Sequence, residues 1–353
     1  MPADLPLKNE TRLPQLPKDG APIEIDVWRG NLIESRHRVH GAVVDAHAGV
    51  VHGWGDITAP IYGRSAIKPL LALLLVESGA ADRFGLADRE IALACASHNG
   101  EAGHVDAVLN WLSAIGLSVD DLECGPQMPG LESVHRAIIL SGAAPTRAHN
   151  NCSGKHTGFL TAAKHLGFPT GGYVQYEHPV QQRLLGILEQ MSGCDLHDVP
   201  RGIDGCGIPT IAFPIGNHAF AMAQMADPHH LPAARAAAAH RICRAMTAEP
   251  WYVAGTDRFC TKVMEVTGAK AAIKTGAEGV YMGALPGLGL GICLKAADGA
   301  HRASEVAMGA VLRMLGVIDE AEEAKLHATL EPAIRNWAGT VTGRVAPGAE
   351  ARF

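Results

Sequence analysis

Apolar positions along this chain follow two patterns. From Ile23 to about Gly53 they alternate in short β-rich runs, Ile23-Glu24-Ile25-Asp26-Val27-Trp28 and Val39-His40-Gly41-Ala42-Val43-Val44-Asp45, parted by glycine turns. That period of two predicts antiparallel strands. It returns after Lys270 in Ala271–Lys274, Val280–Ala284 and Leu290–Lys295, with a last candidate strand at Gly339–Gly343. Between these regions helices are predicted over Ile67–Ser78, Asp88–Ala94, Glu101–Ile115, Gly130–Leu140, Ser153–Leu166, Pro179–Met191, Leu231–Ala248 and about Cys260–Val266. A closing helix is predicted over about His301–Leu315. Strands at both ends with helices between predict an α+β fold, in which one antiparallel sheet is built from the two termini and a helical region is inserted. The expected organisation is a flexible tail over 1–22 and a single unit over 23–353. Within that unit, 23–60 and 268–353 form the sheet with its flanking helix, and 61–267 is mainly helical.

Composition narrows the class. The 353 residues are 47% hydrophobic but only 5% aromatic, and include 40 Gly, so the interior is assembled mainly from Ala, Leu, Val and Ile. A formal net charge of −6 without a basic cluster argues against nucleic acid or an anionic membrane as partner. No stretch approaches the roughly 18 apolar residues of a membrane span. The polar, proline-bearing start has no apolar signal core, which leads us to expect a cytoplasmic protein. The eight cysteines are scattered without a Cys-x-x-Cys pair, a usage that favours free thiols or metal ligands over a disulfide frame.

Three short motifs suggest chemistry. In Arg64-Ser65-Ala66-Ile67-Lys68-Pro69, a helix beginning at Ser65 would bring Ser65 and Lys68 onto one face, a nucleophile beside a base. Such a lysine works only if burial or another cation keeps it neutral. A helix-capping serine near a solvated lysine has the same pattern, so the motif alone is weak. Ser97-His98-Asn99 and Lys274-Thr275-Gly276 follow in the order of the penicillin-recognising serine hydrolases, and together the three are much stronger than any one. A further polar cluster, Asn150-Asn151-Cys152-Ser153-Gly154-Lys155-His156, and a glycine-rich turn, Gly202-Ile203-Asp204-Gly205-Cys206-Gly207, each carry a cysteine. Two thiols in two such loops make a possible soft-metal site, zinc being the usual ion for thiolates, though small buried thiols are the commoner outcome.

Taken with Lys274-Thr275-Gly276-Ala277-Glu278-Gly279-Val280, these stretches resemble the rhizobial-type L-asparaginase II family, the inducible thermolabile enzymes, over about Val27 to Gly343. The resemblance implies a fold like that of serine β-lactamases and glutaminases, and conversion of L-asparagine to L-aspartate and ammonia through a serine acyl-enzyme. It implies Ser65 as nucleophile with Lys68 as base, and Ser97 with Lys274 as a second dyad. It also implies zinc held by Cys152, Lys155 and Cys206, and a homodimer. Arg64, Asn151, Asp204 and Glu278 become candidate substrate holders, the arginine for the α-carboxylate and the acids for the α-amino group. Asn99 and Gly100 stand where the family pattern has two serines. The alternative is a β-lactamase-like or glutaminase-type serine amidohydrolase, which would share the three motifs without needing the two cysteine loops.

Overall fold

A computed structural model describes residues 20–349. Most of the expected tail, residues 1–19, lies outside the described residues. The alternating runs fold as strands β1 (Ile23–Arg29), β2 (Leu32–Asp45) and β3 (Gly49–Trp54). Short strands β4 (Pro60–Tyr62), β5 (Arg201–Ile203) and β6 (Pro209–Pro214) follow within the helical region. The C-terminal part supplies β7 (Ala272–Thr275), β8 (Val280–Leu285), β9 (Leu290–Ala296), β10 (Ala333–Arg335) and β11 (Val341–Pro347). One antiparallel sheet runs β10-β11-β1-β2-β9-β8-β7, with β3 also paired to β2. The α+β class and the joining of the two ends therefore hold.

The centre of this sheet is covered on both faces. Gly283 pairs with Ile292, so the neighbouring Gly291 points to the opposite face. A β-carbon at Gly283 would meet Met308, while one at Gly291 would meet Ala219 and Ala223. Helix His301–Met314 thus packs on one face and helix Ile215–Ala226 on the other. All twelve residues of Ile215–Ala226 are buried. It has no polar stripe, and the sequence pattern gives it no helical period, which is why the reading above contains no helix there. Helix Glu320–Leu330 and the small sheet β4-β6-β5 are likewise additions.

The inserted helices fall close to expectation at Asp88–Ala94, Ala102–Ala114, Ser153–Leu166, Pro179–Ser192, Ala233–Ala248 and Phe259–Thr267. The first predicted helix is instead broken into a 3-10 turn, Arg64–Ile67, and short α-helices at Lys68–Leu71 and Leu73–Glu77. No helix among the described residues is long and apolar enough to cross a membrane.

Candidate active site

The site is built where the sheet edge β7 meets the 3-10 turn. A β-carbon at Gly276 would come within 3.0 Å of the Gly63 carbonyl oxygen and the Ala66 nitrogen, so only glycine lets these two backbones approach so closely. Pro69 stands in the first turn of its helix, where a missing N–H costs little. Arg64 is one of three non-glycine residues with positive φ among the described residues, at 47°. Strain of this kind is stored where surrounding structure over-determines the backbone.

Three residues along a 3-10 turn bring side chains onto one edge. The Lys68 side chain is nevertheless directed beyond Ser65. Its buried amine donates to the Ala96 carbonyl and, at 3.0 Å, to Ser97 Oγ. Ser65 is half-buried, and its hydroxyl makes no hydrogen bond among the described residues. Lys274, fully buried on β7, lies 2.9 Å from the same Ser97 Oγ and 2.7 Å from the Thr275 carbonyl oxygen. Ser97 is therefore bracketed by two lysines. Burial, and after it the charge of Lys68, pushes the Lys274 amine down to about 7. Near neutral pH it can accept a proton through Ser97.

His98 is locked in a structural role. Its Nδ1 accepts from the Gly100 N–H at 3.0 Å, so its Nε2 carries the proton and donates to Ser153 Oγ at 2.9 Å. Burial, with help from the neighbouring cations, lowers its pKa well below the ordinary value, so the ring stays neutral.

Cys152, Lys155 and Cys206 converge behind these groups. Lys155 Nζ lies 2.9 Å from Cys206 Sγ, and Cys152 Sγ lies 3.1 Å from Asn151 Oδ1. A hydrogen bond with Cys206 and the charges of Lys155 and Lys68 hold Cys152 well below an ordinary thiol, despite burial. Burial lowers the proton affinity of Lys155, but the two sulfurs outweigh it and raise the pKa. A neighbouring cation thus lowers Lys274, whereas negative charge nearby raises Lys155. Among the described residues no three His, Cys, Asp or Glu side chains form a metal site. A divalent cation at these thiols would need deprotonated Lys155 as a third donor, and that set of two sulfurs and an amine suits zinc.

The expected substrate holders are dispersed. Arg64 and Asp204 are paired with each other: Oδ1 accepts from Arg64 Nε at 3.1 Å and Nη2 at 2.9 Å, and from the Gly205 N–H at 2.7 Å. Burial alone would raise the Asp204 pKa, but Lys155 and Arg64 hold it below the carboxylate range. The Nε and Nη2 donors of Arg64 thus converge on one carboxylate oxygen of Asp204. Asn151 lines a cleft of about 400 Å³ together with His98, Asn99, Gln127 and Arg258. Neither Ser65 nor Ser97 lines it; the two residues following Ser97 do. Glu278, at φ 57°, makes no side-chain hydrogen bond among the described residues, and its Oε2 lies against Gly299. Arg258 was not singled out from the sequence, where Gly255-Thr256-Asp257-Arg258 follows no catalytic pattern.

The sequence profile of L-asparaginase II matches residues 25–347. This is a hydrolase acting on linear amides. The family to which the chain belongs is L-asparaginase II, whose name gives asparagine as substrate. No curated protein sequence matches it. Solved structures similar to the chain include a β-lactamase from Mycobacterium bovis, with 15% identity over 83% of this chain and 95% of that one and a TM-score of 0.36. Another is a protein described as a β-lactamase from Bacteroides dorei DSM 17855, with 13% identity over 73% and 84% and a TM-score of 0.41.

Proposed function

We propose that the chain hydrolyses L-asparagine through an aspartyl ester on Ser65. Lys68 first passes a proton through Ser97 to the neutral Lys274 amine; Ser65 Oγ then attacks the side-chain amide carbonyl while Lys68 takes its proton, and the tetrahedral intermediate expels ammonia as the carbonyl re-forms. The Ser97 hydroxyl, bonded to Lys68 at 3.0 Å and lying 2.9 Å from Lys274, passes the proton to the departing nitrogen. Water, activated by the same groups, then cleaves the ester and releases aspartate. N–H groups of the first 3-10 turn receive the oxyanion, each such donor being worth roughly 3 kcal/mol in comparable sites. The observation that carries this reading is the Lys68–Ser97–Lys274 array, a buried proton path ending in an amine depressed to about 7.

Zinc held by Cys152, Lys155 and Cys206 fits the reading. Bound there, it supplies a fixed positive charge beside the site. Without it, Lys155 keeps its proton and pairs with the thiolate. Zinc in the purified protein, lost in Cys152→Ser, supports this ligand set; full retention in that variant removes it. A homodimer is carried here as an expectation, tested by the mass of the particle in solution.

The activity is tested by ammonia release from L-asparagine. Ser65→Ala and Lys68→Met are each expected to reduce it by at least about a thousandfold while leaving the protein folded, because nucleophile and base act as one unit. Turnover retained in Lys68→Met would sink the proton path.

A further inference from the structure

The cleft contains an arginine that forms no ion pair among the described residues, although the partly buried Glu305 feels its charge. Arg258 lines it and is held only through Nη1, which donates to Asn99 Oδ1 at 3.2 Å. Among the described residues no carboxylate lies within ion-pair distance of Arg258. Its neighbour Asp257 is paired elsewhere, with Lys262 at 3.0 Å. Arg64, by contrast, is paired with Asp204.

The loop carrying Arg258 is rigidly held. Gly255 has φ 105°, and a β-carbon there would meet Glu101 Oε1 at 2.6 Å and Asn99 Nδ2 at 2.7 Å. Thr256 donates from N to Glu101 Oε1 at 2.8 Å and from Oγ1 to Glu101 Oε2 at 2.6 Å, and its carbonyl accepts from Asn99 Nδ2 at 2.9 Å. Asp257 is held at φ 62°, a conformation that costs a side-chain-bearing residue energy and is kept only when its surroundings impose it. Asn99 thus ties the residues after Ser97 to both Thr256 and Arg258. A fixed guanidinium with open donors, in a cleft lined by the two residues that follow Ser97, is the arrangement that recognises a carboxylate.

We propose that Arg258, positioned by Asn99, binds the α-carboxylate of the substrate and so selects amides that carry an acid group at the far end. The inference rests on the asparaginase reading and assigns to Arg258 the role the sequence suggested for Arg64. The placement also couples binding to chemistry. Arg258 bears electrostatically on Lys274, so a carboxylate docked on it offsets part of the positive field that lowers the Lys274 proton affinity.

The test compares wild type, Arg258→Gln and Arg258→Lys on two substrates, L-asparagine and its α-amide, which lacks the carboxylate. Binding of L-aspartate is measured in parallel by calorimetry, and thermal melting checks folding. Arg258→Gln is expected to raise KM for asparagine by about 10- to 100-fold, the range of a charge-assisted hydrogen-bonded pair, with a smaller change in kcat. It is expected to leave the α-amide nearly unaffected and to abolish aspartate binding, and Arg258→Lys is expected to recover part of both. An unchanged KM and unchanged preference between the two substrates would overturn the assignment while leaving the activity intact. If wild type is inert toward asparagine, the asparaginase reading fails by itself. Aspartate binding then still decides: loss in Arg258→Gln supports the carboxylate site, and equal binding overturns it.

Discussion

At the scale of single residues, the site turns on how burial divides the lysines. Lys68, Lys155 and Lys274 are all buried, yet Lys274 faces another amine across Ser97 whereas Lys155 faces two sulfurs. Desolvation therefore prevails at Lys274 and charge pairing prevails at Lys155. Asparagine turnover should rise with pH through about 7, as Lys274 becomes neutral, and an acid limb that is unchanged in Lys274→Arg would count against it as the titrating group. The stability consequence has a definite sign. Lys274 binds its proton less well folded than unfolded, so it destabilises the fold fully below about 7, and this cost fades as pH rises towards 10.5. Lys274→Met should accordingly melt higher than wild type at pH 6 and lose that advantage at pH 10, while being inactive. Much of this was legible in the sequence, because Ser65, Lys68, Ser97 and Lys274 stand in recognisable short motifs. The pairing of Lys68 with Ser97 instead of Ser65 was not, since side-chain direction depends on the 3-10 turn that replaces the expected α-helix. Nor was Arg258, whose significance comes from the lack, among the described residues, of a carboxylate within ion-pair distance of it.

At the scale of elements, the inserted helices are clamped by arginines reaching from one helix. From Ala233–Ala248, Arg235 forks onto Glu77 at 2.7 and 2.8 Å, Arg241 reaches Asp82 at 2.6 Å, and Arg244 reaches Asp88 at 2.9 Å. These anchor the segment that ends three residues before Ser97, since Asp88 begins the helix Asp88–Ala94. The more exposed Arg244 pair is worth about 0–1 kcal/mol. The mostly buried, bidentate Arg235–Glu77 pair should matter more, and Arg235→Ala is expected to cost about 1.5–3 kcal/mol by denaturant unfolding. A loss below about 0.5 kcal/mol would show the clamp to be incidental. Gly255→Ala should be worse for activity than for stability, because it disturbs the loop that carries Arg258. Regular elements such as Asp88–Ala94 and Ser153–Leu166 were readable from period and breakers. The wholly buried Ile215–Ala226 was not, because a helix buried all round, with Asn217, His218 and Gln224 inside, presents no solvent face to read.

At the scale of the whole molecule, the fold closes by joining its ends. β11 pairs with β1 over Ile25–Arg29, and β10 in turn pairs with β11, so the last strands complete the sheet that starts the chain. Removing residues after 331 would leave β1 with an unpaired edge and take the buried side chains of Val345 and Ala346 out of the core. Such a truncation is expected to aggregate, and a soluble, active product would contradict this dependence. The joining of the ends was legible, because period-two runs stand only at the two extremes of the chain. The strand order was not, because pairing partners are set by long-range register. The groups of the proposed site are brought together by this closure: Ser65 and Ser97 come from the inserted region, while Lys274 arrives on β7 from the C-terminal half. The central claim, that Ser65 alone carries the acyl group, is tested by acid-quenching the enzyme during turnover of L-asparagine and mapping the modified peptide by mass. An aspartyl ester on Ser65, absent in Ser65→Ala, is the predicted result. An ester on Ser97, or rapid turnover without any ester in wild type, would contradict it.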